Sequence, residues 1–269
     1  TNFKAEDTIA VIYAQVEIQG GEGSVNVIGE GSINRSLKEA REDEDVKAIV
    51  LRVDSPGGSA LTSELIWREI ELTKKVKPVV VSMGNVAASG GYYIACNSDY
   101  IFAEPSTITG SIGVFGMLPN MTQLGKNIGI NAEQVKTHKN ASGYSVFEPL
   151  DEGFKNMVLE SIEDVYGTFI KRVADGRKMT TEQVDAIAQG RIWTGTDAIK
   201  NGLVDKLGGL NDAIKHAATL AKIKDYRTDN YPEYKSSFED ILASMSGISI
   251  FKTKEDLLKQ LEKNNNSNT

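Results

Sequence analysis

Cysteine and histidine are scarce in this sequence: Cys96 is the one cysteine, and His138 and His216 are the two histidines. A single cysteine excludes an intrachain disulfide framework and leaves the redox compartment unread. Basic residues are in the minority, 30 Lys and Arg against 37 Asp and Glu, for a net charge of −7; the isoelectric point is about 5.1. Without a basic excess there is no face to neutralise phosphates, which argues against a nucleic-acid partner. No stretch approaches the ~18 uninterrupted apolar residues that mark a membrane span. An initiator methionine is missing as well. Thr1 opens the sequence, and the expectation is a processed protein or excised domain, with any signal or anchor segment upstream. Nor is there an internal repeat with a period of ~20–50 residues.

What is present reads as an α/β protein. The 269 residues are 40% apolar and 25% charged, enough for one large domain or two small ones. Residues 8–16 (TIAVIYAQV), 47–53 (KAIVLRV), 78–83 (PVVVSM) and 100–103 are apolar runs of strand length. Between them, 33–42 and 62–74 carry helical spacing, and a Gly-rich loop covers 20–31. Buried strands alternating with helices favour βαβ units and a sheet covered on both faces. The second half is more helical, over 152–174, over 181–189 with Thr180 as N-cap, and over 212–221. Beyond Tyr226 the pattern loosens. Residues 254–263 suit a terminal amphipathic helix, and 264–269 form a polar tail expected to be disordered.

Chemistry concentrates in residues 79–96, VVVSMGNVAASGGYYIAC. A buried strand runs into small residues, then Ser89 between Ala88 and Gly90, then a helical apolar run. Small neighbours let a substrate backbone reach the hydroxyl, and the helix start supplies free N–H groups for an oxyanion. The bland alternative is a packing turn, and position 87 is alanine where the G-x-S-x-G elbow has glycine. Residues 54–59 (DSPGGS) also end a buried strand and precede a helix, so an amide there is a candidate second donor. A base is needed too. His216 lies in an expected helix as a surface or packing residue, so a Ser-His-Asp arrangement depends mostly on His138. Its neighbour Lys139 is as good a candidate once desolvated.

Four segments in order carry a resemblance: 54–59 (DSPGGS), 84–94 (GNVAASGGYYI), 105–115 (PSTITGSIGVF) and 190–205 (GRIWTGTDAIKNGLVD). Together they resemble signal peptide peptidase A, a membrane-associated bacterial serine protease of the S49 type. The similarity runs over roughly residues 8–225 and is greatest to the carboxy-terminal half of the long, tandem form. It implies a ClpP/crotonase-like layered βαβ superhelix, with a protease domain over 1–225 (catalytic core about 45–205) and an extension over 226–269. By resemblance, Ser89 is the nucleophile, Ser111 orients the catalytic lysine, and Gly58 and Gly90 are the oxyanion-hole amides, with Gly57 still open. Lys139 matches the lysine of the short form, with Lys136 nearby. In the long form the lysine comes from an amino-terminal half, and that source stays open here.

The resemblance also implies substrates, place and assembly. Remnant signal peptides and other unfolded apolar peptides would be cut on the extracytoplasmic (periplasmic) side of the bacterial inner membrane. A bowl-like homo-oligomer would enclose the sites, held to the membrane by a segment outside this chain. No metal or cofactor is implied. Two rivals remain: a crotonase-type acyl-CoA enzyme with the same oxyanion logic, and an inactive half whose dyad needs a partner half.

Overall fold

Val79, Val80, Val81 and Met83 are all fully buried, which explains why their stretch of sequence is continuously apolar instead of alternating. In the computed structural model, which describes residues 5–138, 141 and 143–232, they form the start of a central strand. In chain order the elements are β1 (Thr8–Gln15), α1 (Glu30–Glu42), β2 (Val46–Ser55), α2 (Ala60–Lys74), β3 (Val79–Ala88) and α3 (Gly90–Ala95). There follow β4 (Tyr100–Ala103), β5 (Ile108–Gly110), α4 (Thr122–Asn127), α5 (Glu152–Arg177) and α6 (Thr181–Ile187). The last are β6 (Ile192–Thr194), α7 (Gly195–Lys200), β7 (Lys206–Leu207), α8 (Leu210–Ala221) and β8 (Arg227–Tyr231).

The sheet runs β6-β5-β3-β2-β1-β8, with β4 beside β3 and β7 beside β4. All pairings are parallel except β5 with β6. β3 changes partner along its length. Its first half pairs Val80–Ser82 with β4, and its last residues, 86–88, pair with β5. Between the two halves, a Cβ at Gly84 would lie 2.7 Å from the Asp54 carboxyl carbon, and the Asp54 carboxylate accepts the Val86 N–H at 3.0 Å. At this switch β3 leaves β4 for β5, and its end leads directly into α3.

Two apolar clusters flank the sheet. The larger joins Ile33 and Leu37 of α1, Ile66 and Ile70 of α2, all of the apolar part of α3, and Phe169 and Val173 of α5. The smaller packs Ala213, Ala217 and Ala218 of α8 on Ile9, Val11, Val50 and Val80. Each fully buried Leu or Ile contributes about 1.5–3 kcal/mol of transfer free energy. Side-chain caps open helices α2, α5 and α6. Ser59 accepts from the Thr62 N–H on α2, Asp151 from the Phe154 N–H on α5, and Thr180 with Gln183 completes a capping box on α6.

The expected strands at 8–16, 47–53 and 100–103 and the helices at 33–42, 62–74, 152–174 and 212–221 are all found within a few residues. The expected strand 78–83 extends through Ala88, because Val86, Ala87 and Ala88 gain β5 as a partner. β5, β6, β7 and β8 carry no strong sequence signal. Three of them are 2–3 residues long, and β8 is the polar run RTDNY on the sheet edge. The expected helix at 254–263, the tail at 264–269 and Lys139 lie outside the described residues. Among the described residues, no helix is long and apolar enough to cross a membrane.

Candidate active site

Ser89 sits where β3 gives way to α3, with φ 51° and ψ −121°. That is a left-handed backbone on a residue with a Cβ, a conformation that costs of order 1–3 kcal/mol and survives only when its surroundings enforce it. Three things enforce it here. The Ser89 N–H donates to the Gly110 carbonyl on β5 at 2.9 Å, and the Ser89 carbonyl accepts the Tyr93 N–H at 2.9 Å. α3 itself is buried along its whole length, with the Tyr92 hydroxyl donating to the Leu203 carbonyl at 2.9 Å. The strained elbow thus arises without the glycine that the α/β-hydrolase pattern puts two positions before the serine.

The glycines around it are there because backbone comes close. A Cβ on Gly57 would lie 2.5 Å from the Gly90 nitrogen and 2.9 Å from the Ser89 Cβ. Gly58 has φ 147°, and a Cβ there would lie 2.0 Å from the Ile18 carbonyl oxygen. Ile18 clamps this loop, donating to the Gly57 carbonyl at 2.8 Å and accepting the Ser59 N–H at 2.8 Å. The Gly57 N–H is spent on the Ser55 hydroxyl at 3.1 Å, and Gly57 is buried. Among the described residues neither the N–H of Gly58, an exposed residue, nor the Gly90 N–H, the first of α3, makes a hydrogen bond. Of the two glycines left open by the sequence, Gly58 therefore has the free donor.

Ser111 adopts φ 49° and follows Gly110, whose carbonyl holds the Ser89 amide. The Ser111 N–H donates to the Arg191 carbonyl at 2.8 Å. Ser89, Gly58, Gly90 and Ser111 all line one cleft of about 1270 Å³. Its lining also includes Val114, Phe115, Val165, Phe169 and Glu17. Behind the wall, the Tyr93 hydroxyl donates to Glu64 at 2.5 Å, Glu64 pairs with Arg172 at 2.5 Å, and the Arg172 guanidinium lies 3.9 Å from the Trp67 ring centre. The nearby thiol of Cys96 is pushed up to about 12 by burial, so it stays unreactive.

The cleft's described lining contains no lysine, arginine or histidine. Lys136 and His138 are described and exposed elsewhere, with the His138 ring 3.2 Å from the Thr137 hydroxyl. His216 packs on Tyr100 and Phe102, ring centres 4.0 and 5.6 Å away, as a packing residue. A Ser-His-Asp arrangement is thus not assembled among the described residues. Sequence reasoning missed Tyr93, Tyr166 and Gln189 as cleft residues. Tyr166 lies next to Val165 and one helical turn before Phe169 and Ile170 on α5, and a tyrosine amid that apolar stripe was the available signal.

Residues 71–224 match the description of peptidase family S49. The chain belongs to peptidase family S49. It is 46% identical over 241 residues to Protease 4 of Salmonella typhi, covering 89% of this chain and 39% of that protein. To the Serine protease SPPA, chloroplastic, of Arabidopsis thaliana it is 38% identical over 265 residues, 95% of this chain and 39% of that one. The chain therefore spans about two fifths of the length of these relatives. Among solved structures it is similar to a serine-to-alanine mutant of the 1510-N membrane-bound stomatin-specific protease. That match has a TM-score of 0.57 at 17% identity, covering 86% of this chain and all of that one. The fold is the ClpP/crotonase-like α/β architecture, and the S49 membership bears out the resemblance read from the four motifs.

Proposed function

We propose that this chain is the nucleophile-bearing domain of a serine endopeptidase working through a Ser-Lys dyad. Ser89 Oγ attacks the substrate carbonyl while neutral Lys139 takes its proton. The Gly58 and Gly90 amides hold the oxyanion, and Ser111 orients the lysine. The lysine ammonium then protonates the departing amine, leaving an acyl-enzyme on Ser89. Neutral lysine next takes a proton from water, whose oxygen attacks the ester, and Ser89 recovers its proton as the acid leaves. The observation that carries this reading is Ser89, held at φ 51°, lining one cleft with Gly58 and Gly90, whose amides have no hydrogen-bond partner among the described residues.

Apolar and aromatic side chains dominate the cleft wall, which supports unfolded apolar stretches, remnant signal peptides among them, as substrates. The proposed setting is the extracytoplasmic side of a bacterial inner membrane, reached through a segment outside this chain. The proposed boundaries are a protease domain over 1–225 and an extension over 226–269. Lysine at pKa ~10.4 is neutral in about one molecule in a thousand near pH 7.4, so the dyad needs a desolvated lysine.

Hydrolysis of a fluorogenic apolar peptide by Lys139→Met and Lys136→Met variants tests the base. Activity lost in the first and kept in the second supports Lys139. The second reading is that the base comes from another half, favoured by a cleft lining without a described cation. Its mark is an inert domain that gains activity, even as Lys139→Met, when a lysine-bearing half is added. Retention on CoA-agarose would instead favour a crotonase-type acyl-CoA enzyme.

A further inference from the structure

Three backbone segments, at Ser89, at 110–112 and at 190–191, are fastened side by side around Ser111. Ser89 donates to Gly110; Ser111 donates to Arg191; Gly190 donates to Ile112 at 2.9 Å. The last segment is itself unusual. Gln189 and Gly190 are both left-handed, at φ 56° and 75°, and for Gln189 that costs about 1–2 kcal/mol. Such a turn persists only if something outside it holds it.

Tyr166 on α5 is that fastening. Its hydroxyl donates to the Asp185 carboxylate at 2.6 Å and accepts the Gln189 N–H at 3.2 Å. The Gln189 side-chain amide returns to the other Asp185 oxygen at 3.2 Å. Asp185 thus grips the turn twice, through Tyr166 and directly. Arg191 adds a tie within the turn, donating to the Ala188 carbonyl at 3.0 Å and to the Gln189 side-chain oxygen at 3.2 Å. A Cβ on Gly113 would lie 3.0 Å from Gly190, so the turn packs closely on the segment after β5 that carries Ser111, and a shift of one displaces the other. Tyr166, Gln189, Gly190, Ser111 and Ser89 line the same cleft.

We propose that Tyr166 is a positioning residue: with Asp185, its hydroxyl holds the Gln189–Gly190 turn that sets Ser111, and through Ser111 the base, against Ser89. The proposal rests on the dyad reading above. It makes the α5–α6 contact part of the site, where a simple helix staple would only add stability. Tyr166→Phe is the informative variant, since it keeps the ring on the cleft wall and removes only the hydroxyl.

In the full chain, Tyr166→Phe is expected to lower kcat by about tenfold with KM within about twofold, the scale of one lost hydrogen bond. Asp185→Ala removes both grips on the turn and should lower kcat at least as far as Tyr166→Phe. Hydrogen exchange in the Ser89→Ala background supplies a readout that needs no turnover: Tyr166→Phe should speed exchange at the Gly190 and Ser111 amides. Unchanged exchange there overturns the proposal, as does Tyr166→Phe with wild-type kcat, or Asp185→Ala that lowers the melting temperature and leaves kcat alone. Hydrolysis that survives Ser89→Ala overturns the dyad reading beneath it, and that failure shows in Ser89→Ala itself, before Tyr166 is changed.

Discussion

Ser89 pairs strain with function, and the two separate by mutation. Ser89→Ala removes the hydroxyl but keeps a Cβ at φ 51°, so the strain stays; Ser89→Gly removes both. Relief of roughly 1–3 kcal/mol of left-handed strain exceeds the roughly 0.4–1 kcal/mol that glycine gives back through the unfolded chain. Both variants should be inactive, with Ser89→Gly melting above Ser89→Ala; calorimetry that ranks them the other way contradicts the strained elbow. Gly58 is the opposite case. A Cβ 2.0 Å from the Ile18 carbonyl forces the loop off its clamp, so Gly58→Ala should lose activity and about 2 kcal/mol or more of stability by urea titration. Ser89, Ser111, Gly58 and Gly90 were legible because short motifs carry them, small residues at tight approaches. Tyr166 and Gln189 were not, because their roles come from α5 and α6 folding back on a strand far away in sequence.

At the scale of elements, the same divide holds. Strands β1 to β4 and helices α1, α2, α5 and α8 announced themselves by apolar period, since a buried face must be apolar wherever it packs. β5 and β6 did not, because three-residue strands are defined by their neighbours: Thr109 faces Ala87 on one side and Trp193 on the other. Helix α8 offers a test of its packing on the sheet. Among the described residues the His216 Nε2 is buried without a hydrogen-bond partner, and burial, with Lys206 adding to it against Asp205, lowers its pKa from the ordinary 6.5. The unfolded chain therefore takes up a proton that the folded one resists. His216 contributes its full stability above about pH 6.5 and loses it as pH falls toward the lower folded value. Urea unfolding at about pH 7.5 and pH 5.5 should show a larger loss for wild type than for His216→Phe. Equal losses would contradict a histidine buried against Tyr100 and Phe102.

For the whole molecule, the apolar surface that follows β5 matters most. Ile112 is buried in the core, but Phe115 and Met117 are 85% and 79% exposed, with Leu124 at 56% and Ile128 at 63%. Exposed apolar side chains in this number within residues 115–128 favour association, in keeping with the homo-oligomer that the family resemblance implies. Light scattering at high micromolar concentration should give a multiple of 29.2 kDa, and Phe115→Ser with Met117→Ser should lower it; a wild-type mass of one chain contradicts the assembly. The central claim, that Ser89 is the nucleophile of a peptidase, is tested most directly by covalent trapping. A serine-directed fluorophosphonate, added during hydrolysis of an apolar reporter peptide, should stop turnover in step with the appearance of one adduct. Peptide mapping by mass spectrometry should place that adduct on Ser89. Turnover that stops with the adduct on another residue, or continues with Ser89 fully modified, would contradict the account.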